Sequence, residues 1–70
     1  MAKALVVKES EKAVCLRALV ETWAGQMKDI DIWFPRTWVN PENNFPKDWA
    51  FSRKAEEMRN VKEWHRFYVQ

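Results

Sequence analysis

"SEKAVCLRALVETWAG", residues 10–25, can be read in two ways, and the fold turns on the choice. Ser10 can cap a helix, Leu16, Leu19, Val20 and Trp23 recur at helical spacing, and Gly25 can close that helix just past its C-cap. Composition alone favours the helix. The same residues also alternate, with Val14, Leu16, Ala18 and Val20 interleaved with Cys15, Arg17 and Leu19, as in a strand buried on one face. Periodicity leaves both readings open.

The flanking segments are less ambiguous. "KALVV" (3–7) is a short apolar run rich in β-branched residues and a candidate first strand, and the polar "KESEK" (8–12) after it reads as a turn. Downstream, "KDIDIWF" (28–34) places Ile30, Ile32 and Phe34 on one side and Asp29, Asp31 and Trp33 on the other, which predicts a strand with one wet face. Pro35 has no amide hydrogen to donate, so the ladder ends there, bulges there, or runs along an edge. "NPENNFP" (40–46) has no periodicity and reads as a loop. "PKDWAFSRKAEEMRN" (46–60) predicts a helix: Pro46 lies near its first turn and Asp48 complements the dipole. Phe51, Ala55 and Met58 form its apolar stripe, and Arg53 and Glu57 an i,i+4 pair on its polar side. "EWHRFYVQ" (63–70), rich in aromatic residues, predicts a last strand.

Seventy residues make one domain with a small core, near the size at which burial only just offsets chain entropy. Cys15 and His65 are each the only residue of their kind, so neither an internal disulfide nor a Cys/His zinc site can be built, and the lone thiol suits a reducing cytoplasm. The visible compensation is aromatic, with five Trp, four Phe and one Tyr to stiffen the core. Net charge is only +2, and the excess is C-terminal: residues 1–35 carry five basic and five acidic groups, residues 36–70 seven and five. That bias is weaker than in proteins that depend on phosphate contacts. No basic-plus-apolar leader and no run near the roughly 20 apolar residues of a membrane span is present, so the expectation is a soluble, cytoplasmic chain without membrane contact.

"SEKAVCLR", then "IWFPRTWV", then "FPKDWAFSRKAEE" resembles a group of short, uncharacterised phage and prophage proteins. In that group a strand of the type (E/D)-K-A-(V/I)-L-V precedes W-(I/L)-P-(K/R)-S-Q-(I/V), and a proline-acid-tryptophan start to a helix follows. The likeness covers residues 8–60; this chain has Thr37 and Trp38 where the group has Ser and Gln, and a longer connection at 21–28. The resemblance implies a mobile-element setting and tips "KAVCLRALV" toward strand. The expected fold is then α+β: a small twisted antiparallel sheet, or partly open small barrel, with one helix in the C-terminal half.

Catalytic chemistry finds little support. Ser10, Ser52, His65 and Cys15 form no local nucleophile–base signature, and Gly25, the sole glycine, cannot make a phosphate loop. Asp29 and Asp31 share a strand face, which suits either a cation or the blocking of unwanted edge pairing, the latter being the commoner use. The expectation is a non-enzymatic binding protein without a cofactor. Trp33 and Trp38 flank Arg36, and Arg53, Lys54 and Arg59 follow on the helix. Together Trp33, Arg36, Trp38, Arg53 and Lys54 are the candidate binding residues, unless Trp33, Trp38 and Trp49 are spent on packing against one another. A protein partner, of host or phage, is the first reading, with modulation of a host enzyme or defence system as its role. Single-stranded nucleic acid held by Trp/Arg stacking is the alternative, and a homodimer through an edge strand fits either.

Overall fold

The computed structural model describes residues 2–70, and in it residues 13–22 are strand. The elements in chain order are β1 (Val6–Glu9), β2 (Ala13–Thr22), β3 (Met27–Pro35), a 3₁₀ turn (Arg36–Trp38), α1 (Asp48–Glu57) and β4 (Val61–Phe67). β2 is the centre of an antiparallel sheet: β3 pairs along one edge from Ala13 to Glu21, and the other edge is shared. β1 takes its first half, opposite Val14 to Leu16, and β4 its second half, opposite Ala18 to Thr22. The two meet where Tyr68 N–H donates to Arg17 O and Leu5 N–H to Tyr68 O, beside an Ala4–Val69 bridge. The sheet curls but does not close into a barrel, since β3 and β4 each pair, among the named strands, with β2 alone.

The helix signals at 10–25 turn out to be hairpin signals. Ser10 Oγ accepts the Ala13 N–H at 3.2 Å, the contact a helix N-cap would make, but here it closes the β1–β2 turn. Gly25, at φ +83°, turns the chain between β2 and β3, its N–H donating to Thr22 O while Thr22 N–H donates to Gln26 O. Strand wins because β2 has a neighbour on both edges and an inner face that meets the inner face of β3. Val14, Leu16, Ala18 and Val20 are all buried, as are Ile32 and Phe34, and they cluster with Ala4 and Val39. Cys15 points to the other face yet is also buried, in register with Trp33 on one side and Lys8 on the other.

Several boundaries differ from the sequence expectation. The first strand runs Val6–Glu9 instead of 3–7, with a bulge at Val7, so the turn is confined to Ser10–Lys12. The helix stops at Glu57, and its N-cap is Lys47, which makes no capping bond. Arg53 and Glu57 make no ion pair among the described residues. The last strand is Val61–Phe67, and it carries two bulges against β2.

Most unlike the expectation, no tryptophan belongs to the fully buried core, which is built from Val, Leu, Ile and Ala around Phe34. Trp38 and Trp64 pack on that core from outside, while Trp23, Trp33 and Trp49 are 68%, 43% and 51% exposed. Inside a sheet this small the inner face has room for branched aliphatic side chains, and the indoles form an outer shell.

Candidate binding site

The five residues singled out from sequence do not form one patch. Trp33 lies on the outer face of β3, directly opposite Cys15, whereas α1 packs on the inner face through Phe51 against Phe67 and Lys54 against Phe34. Arg36 is occupied: its Nη2 donates to Ser10 O at 2.7 Å and its Nε to Glu11 O at 3.0 Å, with Glu9 at 3.7 Å. It ties the 3₁₀ turn to the β1–β2 turn. Only Trp38, Arg53 and Lys54 come together. Trp38 meets Trp49 edge to face, 5.3 Å between centroids, and the Arg53 guanidinium and Lys54 ammonium each lie 5.9 Å from the Trp38 ring, at the outer limit of a cation–π contact. Lys54 is also 5.9 Å from Phe34, its stem half-buried along the helix stripe. Trp38 and Trp49 use ring area on each other, as the packing alternative requires.

The two aspartates are individually held. Asp31 lies directly across from Arg17 and takes a two-pronged bond from its guanidinium, at 2.9 Å and 3.4 Å, which lowers the carboxyl pKa below its ordinary value. Asp29 accepts the Tyr68 hydroxyl, and that bond raises the phenol's pKa. Arg66 lies 4.9 Å over the Tyr68 ring, so the outer face of the sheet carries a polar lattice spanning three strands. Among its members, Cys15 has its thiol pKa raised, chiefly by burial and next by the charge of Asp31.

A concave feature of the surface lies elsewhere, between the start of α1 and β4. An open groove of about 250 Å³ is lined by Phe45, Pro46, Phe51, Trp64 and Phe67, with Asp48, His65 and Arg66 at its polar margin. Its wall is an aromatic cluster: Phe51 stands edge-on to Trp64 at 5.2 Å and to Phe67 at 6.0 Å, while Trp64 and Phe67 stack at 6.1 Å. Strict alternation would place Trp64 and Phe67 on opposite faces of a strand, since they are three apart. They share the inner face because a bulge inserts His65: Trp64 pairs with Val20 and Phe67 with Ala18, both inward.

The sequence reading missed this groove. The available signal was an aromatic pair at i,i+3 inside a strand, which only a bulge reconciles with one buried face. No family model, curated protein or solved structure matches the chain.

Proposed function

We propose that the chain is a non-enzymatic binding protein that holds an extended segment of a partner polypeptide, one bulky apolar side chain of which seats in the α1–β4 groove. The aromatic wall of Phe51, Trp64 and Phe67 beside β4 carries this reading. At about 250 Å³ the groove is slightly below the roughly 300–1,000 Å³ of small-molecule pockets, a size suited to one anchoring side chain. β4 pairs only with β2 among the named strands, so a segment lying along it gains main-chain hydrogen bonds as well. The rim mixes Asp48 with Arg66, which favours a polypeptide over a polyanion. Resemblance over residues 8–60 supports a setting in a phage or other mobile element, with a host protein, such as an enzyme or defence component, as the target.

Single-stranded nucleic acid is the second reading, and it rests on Arg53 and Lys54 beside Trp38 and Trp49. With Trp33 on the other face and Arg36 engaged, that platform has lost two of the residues it was expected to use. Peptides selected from a random displayed library, together with oligonucleotides tested at two salt concentrations, separate the readings. The polypeptide reading expects selected peptides to share an aromatic or large aliphatic residue and to bind Asp48→Lys more weakly. It fails if no peptide is selected while an oligonucleotide binds with the steep salt dependence of phosphate contacts.

A further inference from the structure

Two glutamates stand opposite each other in the β2–β4 ladder, where like charges destabilise an antiparallel pair. Glu21 and Glu63 are direct partners, and bulges bracket Glu63: Lys62 is the extra residue on one side and His65 on the other. Among the described residues neither glutamate reaches a lysine or arginine within ion-pair distance. His65 stands beside them, its Nε2 3.9 Å from Glu21 Oε1. One carboxylate oxygen from each glutamate and one imidazole nitrogen thus lie within 4.8 Å of one another.

We propose that Glu21, Glu63 and His65 form a site for a divalent transition-metal ion of the zinc class. An ion there turns the repulsion between the carboxylates into shared ligation. The imidazole selects first-row transition metals over Mg²⁺ and Ca²⁺, which prefer all-oxygen sites. Metal–ligand bonds of about 2.0–2.2 Å put ligand atoms roughly 3–3.5 Å apart, so the side chains must close by about 1 Å. They are free to do so, because the side chains of Glu21 and His65 keep 27% and 37% of their exposure. Three protein ligands leave coordination open toward solvent, and no sequence motif announces the set because 42 positions separate Glu21 from Glu63. The two glutamates stand outside the groove, and His65, at the groove's polar margin, is the one residue the site shares with it.

Titration of Zn²⁺ into the tag-free chain, by calorimetry and by the NMR signals of its single histidine, tests the assignment. One ion per chain is expected, with a rise in thermal midpoint on binding. Glu63→Gln and Glu21→Gln weaken binding on the order of tenfold or more, and His65→Ala abolishes it. Because Glu63→Gln also removes the repulsion, the metal-free variant keeps or raises its thermal midpoint, so lost binding is not lost fold. Cys15→Ser leaves binding unchanged. The proposal is overturned by absence of saturable binding at millimolar Zn²⁺, by undiminished binding in Glu63→Gln or His65→Ala, by loss of binding in Cys15→Ser, or by equal competition from Mg²⁺.

Discussion

Phe34 has no exposed surface and touches three layers of the molecule at once. It belongs to the aliphatic core, meets Phe67 of β4 at 6.2 Å, and lies under the Lys54 ammonium of α1. Phe34→Ala is expected to cost about 3–5 kcal/mol. Against a total of roughly 4–10 kcal/mol for a domain of this length, urea denaturation should find the variant near or past its unfolding midpoint in plain buffer. The polar lattice on the outer face predicts pH dependence at both extremes. The Asp31 carboxyl has a folded pKa below its unfolded value, so its contribution is present above about pH 4 and is lost as pH falls through the folded value. Tyr68 has a folded pKa above its unfolded value, so its contribution holds below about pH 10 and is lost as pH rises through the folded value. Thermal midpoints of Asp31→Asn should therefore fall less steeply below pH 4 than those of the parent, and those of Tyr68→Phe less steeply above pH 10. Both side pairs are exposed, so the effects are small.

Among the elements, β2 shows why the sequence was ambiguous. A serine that accepts an N–H three residues on and a glycine at positive φ terminate helices and hairpins with the same chemistry, so Ser10 and Gly25 could not discriminate. β3 was legible because Ile30, Ile32 and Phe34 admit only a period of two. α1 was legible from its stripe, but not its early end at Glu57. The candidate binding residues were the least legible. Arg36 is three residues past Trp33 and next but one to Trp38, and nothing local says that its guanidinium turns back to Ser10 and Glu11. Far-ultraviolet circular dichroism should report only the 10 helical residues of α1 plus one 3₁₀ turn; a spectrum with twice that helix would contradict β2 as strand. Gly25→Ala places a Cβ in open space but at φ +83°, so the expected loss of about 1 kcal/mol is purely conformational.

At the scale of the whole molecule, 70 residues yield one largely aliphatic core around Phe34 under a curled, open sheet, with the tryptophans displaced to its surface. Trp64 and Phe67 pack on the core from outside, and Phe51 of α1 packs on them, so the contact that holds α1 to the sheet also walls the groove. No helix among the described residues is long and apolar enough to cross a membrane. The most direct test of the peptide-binding account is amide chemical-shift mapping of the labelled chain during titration with a selected peptide. The account predicts perturbations concentrated at Phe45, Asp48, Phe51 and residues 64–67 of β4. Perturbations confined to Trp38, Trp49, Arg53 and Lys54, or to the outer face around Trp33, would contradict it.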